Sequence, residues 1–207
     1  FTSSSLSPAA GDWKFIRLNS SASSATFDGS GNYLTGSILQ YCKVEYAGAG
    51  AYPGMVPAIY SISVSPFIDH CTIQHNGSRG LEVSSPPAGV TIRITNNLFD
   101  DNSGQGMSAG TNADSSIIIE NNTVTNSLGG GIGVDTDSPI WEGGGSVTAS
   151  VSVSNNFVSG NLGQGIQVSL SEPAQGTFTV SNNTISGNAR DGLVLGTGGI
   201  NAPAPSS

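Results

Sequence analysis

The sequence predicts an all-β parallel solenoid, and three observations carry that reading. Blocks aligned on a polar pair recur along the chain: "IDHCTIQHNGSRGLEV" (68–83), "ITNNLFDDNSGQGMSA" (94–109), "IENNTVTNSLGGGIGV" (119–134), "VSNNFVSGNLGQGIQV" (153–168) and "VSNNTISGNARDGLVL" (180–195). In every copy a glycine falls ten residues after the first member of the pair, at Gly80, Gly106, Gly131, Gly165 and Gly192. No copy contains a window of helical periodicity, whereas each holds two or three short alternating runs. Composition agrees, because 29 Gly and 17 Asn favour turns and disfavour helices. The apolar fraction of 36% is too high, and too regularly placed, for a disordered chain.

Taken in order, residues 1–36 hold a strand-like "WKFIRL" (13–18) and then a Ser/Ala/Gly-rich loop ending in "DGSGNYLTG". They are expected to form an incomplete first coil that covers an open end, since bare strand edges invite association. Residues 37–199 are the coils proper, beginning with a partial copy, "LQYCKVEYAG" (39–48). The pairs are separated by 29, 26, 25, 34 and 27 residues, as three short strands per turn require. Residues 200–207, "INAPAPSS" from 200, are Pro/Ala/Ser-rich and read as a tail or linker. About six or seven coils at ~4.8 Å each give a stack roughly 30 Å long.

A coil of this kind cannot close a core alone; it buries an inward row against the same row above and below. Three such stripes are named by the repeat. One is Ile68, Ile94, Ile119, Val153 and Val180, and a second is Val44, Ile73, Phe99, Val124, Val158 and Ile185. The third is Leu81, Met107, Ile132, Ile166 and Leu193, with Val83, Ala109, Val134, Val168 and Leu195. The second member of each pair (Cys42, Cys71, Asn97, Asn122, Asn156, Asn183) lies two residues before an inward apolar residue and should also point inward. At a bend, an amide satisfies backbone groups that the ladder leaves unpaired. Stacked amides also bond one another along the column, and Asn tolerates left-handed backbone. Cys42 and Cys71 share this column at a spacing that permits a disulfide, or they are two buried thiols.

These coils resemble those of the right-handed parallel β-helix proteins, the pectate-lyase-like superfamily, through the "I-x-N-N-x-I…N…G-I-x-V" pattern over residues 37 to 195. The opening "GDWKFIRLNSS…GSILQYCKVEYAG" resembles the first coils of secreted or surface-attached bacterial members. The resemblance implies right-handedness and an extracellular or cell-surface location. It leaves the activity open, because the superfamily includes lyases, hydrolases, tailspikes, adhesins and filaments.

The net charge of −8 excludes the basic face that nucleic acid requires, and no apolar run is long enough to span a bilayer. Asp100-Asp101 matches the acidic pair of polygalacturonase-type hydrolases, but the accompanying Asn-x-Asp, Gly-His-Gly and Arg-x-Lys motifs are absent. Other copies carry polar pairs at the same place, so a solvated turn is expected. His70 stands where other copies have Asn, which points to a turn role. The strongest ligand-binding candidates are Asp135, Asp137, Trp141 and Glu142, in the insertion "DTDSPIWEGGGS" (135–146) that lengthens one interval to 34 residues. If the strand continues, Asp135 and Asp137 share a face about 6.6–6.8 Å apart, a separation compatible with a hydrolytic pair. Their oxygens would suit calcium, and Trp141 would stack on a sugar. No residue earns a catalytic assignment and no metal site is assigned. The expected function is a non-catalytic extracellular module, structural or adhesive, with a polysaccharide or cell-surface glycan as partner. The alternatives are a lyase or hydrolase acting on acidic polysaccharides, and a filament subunit associating through its coil ends.

Overall fold

A computed structural model describes residues 1–49, 56–136, 147–170 and 174–197. Among these residues twenty-one strands, numbered in chain order, build three parallel sheets and one small hairpin. Sheet 1 stacks β1 (Ile16–Leu18), β6 (Ile59–Ile62), β9 (Leu81–Ser84), β12 (Met107–Thr111), β15 (Ile132–Thr136), β18 (Ile166–Leu170) and β21 (Leu193–Thr197). Sheet 2 stacks β4 (Ile38–Gln40), β7 (Phe67–Asp69), β10 (Thr91–Thr95), β13 (Ser115–Glu120), β16 (Thr148–Ser154) and β19 (Gln175–Ser181). Sheet 3 stacks β5 (Lys43–Glu45), β8 (Thr72–Gln74), β11 (Leu98–Asp100), β14 (Thr123–Thr125), β17 (Phe157–Ser159) and β20 (Thr184–Ser186). The chain passes from sheet 2 through a two-residue bend to sheet 3, turns into sheet 1, and returns to sheet 2 by a connection of variable length. Sheet 1 therefore counts seven coils.

The stripes named from sequence are in register. Ile94 pairs with Ile68 and Ile119, Phe99 with Ile73 and Val124, and Met107 with Leu81 and Ile132. All nine of these side chains are buried. A fourth stripe was not anticipated: Ile92, Ile117, Val151 and Phe178 face inward two residues upstream of the first. The same period-two alternation produces it, because β10, β13, β16 and β19 are longer than the repeat suggested.

The paired asparagines divide their labour. The first member of each pair is left-handed: Tyr41, His70, Asn96, Asn121, Asn155 and Asn182 have φ between 51° and 58°. It is thus the first member, and not the inward second one, that uses the left-handed tolerance of Asn. The second member forms the ladder. Asn97 Nδ2 donates to Asn122 Oδ1 (3.0 Å), Asn122 Nδ2 to Asn156 Oδ1 (3.0 Å) and Asn156 Nδ2 to Asn183 Oδ1 (2.9 Å). Each oxygen also accepts the backbone N–H of the residue one coil before: Cys71, Asn97, Asn122 and Asn156. A buried polar column of this sort is stabilising only because every member is satisfied. Cys42 and Cys71 are free thiols at its start.

Five residues further on, the bend is repeated. Tyr46, His75, Asp101 and Asn126 are left-handed, as are Gly160 and Gly187. The residue after each faces inward and builds a second, interrupted ladder. Asn76 Nδ2 donates to Asn102 Oδ1 (2.8 Å), Asn161 Nδ2 donates to Asn188 Oδ1 (2.9 Å), and Ser127 N bonds to Asn161 Oδ1 (3.0 Å).

The hairpin of β2 (Thr26–Phe27) and β3 (Tyr33–Thr35) is the antiparallel element. Its Phe27 and Tyr33 rings pack on Phe67 of β7 at 5.3 and 6.1 Å between centroids.

Candidate functional site

The bends and sheet 1 present different chemistry to solvent. At the second bend, the acidic pair is consumed by coil-to-coil contacts. Asp100 Oδ1 accepts from Thr125 Oγ1 (2.7 Å) and Asn126 Nδ2 (2.8 Å), while Asp101 Oδ2 lies 2.9 Å from His75 Nδ1. Asp101 is the left-handed residue of its bend, so the Asp-Asp sequence is one outward strand position followed by one turn position. His70 is likewise the left-handed residue of the first bend, with Nδ1 2.8 Å from Asp69 Oδ2. No group of three or more His, Cys, Asp or Glu positioned to hold a metal occurs among the described residues.

The outer face of sheet 1 is arranged differently. Its outward rows run Tyr60, Glu82, Ser108, Gly133, Gln167 and Ile62, Ser84, Gly110, Asp135, Ser169. Gly110 removes a side chain from this face and lines a groove of about 240 Å³. Gln105 reaches across β15 there. A Cβ on Gly133 would collide with its amide, so glycine at that position makes room for the glutamine.

One rim of the groove is the ion pair Arg79 Nη1–Glu82 Oε2 at 2.6 Å, half exposed on the arginine side. The opposite rim includes Asp135, which β15 exposes between buried Val134 and Thr136. Neutralised charge at one rim, a carboxylate at the other, and Ser108 and Gln105 on the floor give donors and acceptors spaced along a polar, apolar-poor trough. Such a surface suits a hydroxyl-rich ligand better than a hydrophobic one. Of the four sequence-derived candidates, Asp135 lies at this groove. Asp137, Trp141 and Glu142, and with them the expected Asp135–Asp137 spacing, lie outside the described residues. Arg79, Glu82 and Gln105 were not anticipated as a group. They come from two different coils, and only the strand register brings β9, β12 and β15 under them.

Comparison with known families gives one result. A model described as "Right handed beta helix region" matches residues 15–141, more than half of the chain. Searches of curated proteins and of solved structures gave no match. The parallel three-sheet stack, its repeating bends and this match together assign the chain to the right-handed β-helix family.

Proposed function

We propose that this chain is a non-catalytic extracellular β-helix module, structural or adhesive, that holds a glycan in the groove on the outer face of sheet 1. The observation that carries the reading is the lining of the groove. Arg79–Glu82, Gln105, Ser108 and Asp135 bring polar groups from three adjacent coils to one face, where Gly110 leaves space. The sequence after Asp135 also carries Asp137, Trp141 and Glu142, and calcium is a further partner that this reading allows for the carboxylates. Binding to a glycan array, run beside a screen for new reducing ends and unsaturated products with and without calcium, tests it. Retention of glycan without turnover is expected, weakened by Gln105→Ala. Turnover abolished by Asp135→Asn or Asp137→Asn would replace it with a lyase or hydrolase.

A second reading, self-association through coil ends, is favoured by the exposure of Leu193 and Leu195 on β21 at 42% and 53%. Sedimentation that stays monomeric at high concentration would count against it.

A further inference from the structure

A second cleft lies on sheet 2, away from the groove. Its floor is the outward row Gln40, Asp69, Thr95 and Glu120, set by strand register across β4, β7, β10 and β13. Its wall is the β2–β3 hairpin, and its volume is about 320 Å³, at the small end of the range for ligand pockets. The feature that sets it apart is Arg93. This half-buried guanidinium sits 5.6 Å from the centroid of Phe27, and its Nη1 lies so close to the hairpin turn that a Cβ on Gly31 would approach within 2.9 Å. It forms neither an ion pair nor a hydrogen bond with any of the described residues.

The acids around it are engaged elsewhere. Asp28 accepts from Ser30 N, Asn32 N and Asn32 Nδ2 within its own turn. Asp69, buried to 4% exposure, accepts from Gln40 Nε2 (2.7 Å), Thr95 Oγ1 (2.7 Å) and Asn96 Nδ2 (2.9 Å), with His70 Nδ1 at 2.8 Å. Asn155 Nδ2 donates to Glu120 Oε1 at a long 3.4 Å. What remains around the guanidinium is uncommitted amide and carboxylate capacity: Asn96 Oδ1, the Asn121 side chain and the second oxygen of Glu120.

A guanidinium held in place by packing, with its planar fork unspent, matches a carboxylate in bidentate geometry. The amides and Glu120 beside it match hydroxyl groups, which both donate and accept. We infer that this cleft binds a single sugar acid, its carboxylate on Arg93 and its hydroxyls on Asn96, Asn121 and Glu120. A single acid is favoured over a polyanion because one cation faces a chain of net charge −8. This site is independent of the sheet 1 groove.

The test is an NMR titration of the intact chain with methyl β-glucuronide and, as the matched neutral sugar, methyl β-glucoside. The glucuronide is expected to shift the amides of Arg93, Asn96, Glu120 and Asn121, with the glucoside at least tenfold weaker. Arg93→Gln should lose at least tenfold in affinity. Arg93→Lys, which keeps the charge and the stem over Phe27, should lose less. Equal titration by both sugars, or no shift at these residues at tens of millimolar glucuronide, overturns the inference. So does a folded Arg93→Gln that binds like the unaltered chain. Acetyl-dialanine, a carboxylate without hydroxyls, shifting the same residues more strongly would assign the cleft to a peptide terminus instead. Shifts confined to Ser108 and Gly133 would overturn the second site while leaving the groove reading intact.

Discussion

Among the described residues, hydrogen bonds from residues 1–25 cover the outer edge of the stack near β4 and β5, and nothing comparable covers the C-terminal end. Glu45 N bonds to Phe1 O, Trp13 Nε1 to Glu45 O, Ser37 N to Ser23 O and Ala25 N to Ser65 O. At the other end β19, β20 and β21 are the last strands of their sheets, and among the described residues no hydrogen bond reaches their far edge. The consequence is read within a single column. Leu81, Met107 and Ile166 are 0% exposed, Ile132 is 1%, and Leu193, in the same column, is 42%. The motif is unchanged; what differs is that no described coil lies above. Burial in this fold is therefore a property of neighbouring coils and not of any one repeat, which makes stability close to a sum over coil interfaces.

That comparison can be broken by matched substitutions. The largest effect is expected in the apolar column. Ile166→Ala should cost about 2–5 kcal/mol, as for a fully buried large-to-small change. Leu193→Ala should cost no more than about half of that, because much of its side chain already meets water. Urea melts of the two variants decide it: equal losses would mean that the terminal coil is buried by something other than a described neighbour.

The amide column gives the next contrast. Asn156 Nδ2 donates to Ile119 O, Ser154 O and Asn183 Oδ1, and its Oδ1 accepts from both nitrogens of Asn122. Asn156→Ala strands several of these buried groups and should cost about 3 kcal/mol. No described coil lies beyond Asn183, so Asn183→Ala should cost about 1 kcal/mol. A shorter loss of hydrogen-exchange protection, confined to β20 and β21, is the expected signature of the terminal variant.

Glycine column variants should be smaller still in their difference but cleaner in sign. A Cβ at Gly131 would strike Val158 Cγ1 and come within 2.5 Å of Gly165 O, whereas at Gly192 the nearest atom is Ile185 Cγ2 at 3.5 Å. Gly131→Ala should destabilise by about 1–3 kcal/mol through overpacking. Gly192→Ala should be neutral or mildly stabilising, since alanine restricts the unfolded chain. Thermal melts that rank them in the opposite order would refute the stacking account of this column.

The sequence made the inter-coil logic legible because a fixed offset from pair to glycine survives loops of unequal length. It named three of four core stripes and the whole of the first amide column. The fourth stripe was hidden because Ile92, Ile117, Val151 and Phe178 lie upstream of the aligned blocks, where return loops vary. The second ladder was hidden because Ser127 interrupts it and because glycine replaces Asn at the left-handed position in two coils. Its Asn76, Asn102, Asn161 and Asn188 were nonetheless at a constant offset of six from the first pair member. The groove was beyond reach for a different reason. Its rims come from residues 79–82 and 135, which only parallel register places on one face.

Acid separates the two ends through Asp69, near the covered one. Burial works to raise its pKa, but hydrogen bonds from Asn96, His70, Thr95 and Gln40 together hold it below the usual carboxylate value. A carboxyl with a depressed folded pKa contributes stability that is present above the unfolded value of 3.8 and is lost as pH falls through the folded value. Melting temperature should therefore carry an Asp69-dependent drop below about pH 4, absent in Asp69→Asn. Exchange protection should fail first around β7 and β10, at the covered end. An identical acid profile in Asp69→Asn would show that the carboxylate is not held by those donors.

Least energetic, and sharpest in place, is the contrast between the two thiols. Burial pushes the Cys71 thiol up to about 11, with its sulfur donating to Leu39 O and Asp69 O at 3.4 and 3.3 Å. Cys42 occupies the same column one coil nearer the end and is only half-buried. Since the thiolate is the reactive form, a mildly alkaline solution of the native protein should alkylate Cys42 well before Cys71. Both should react at similar rates in urea. Equal native rates would mean that the first full coil opens as readily as the partial coil outside it, and that the covering by residues 1–36 protects neither.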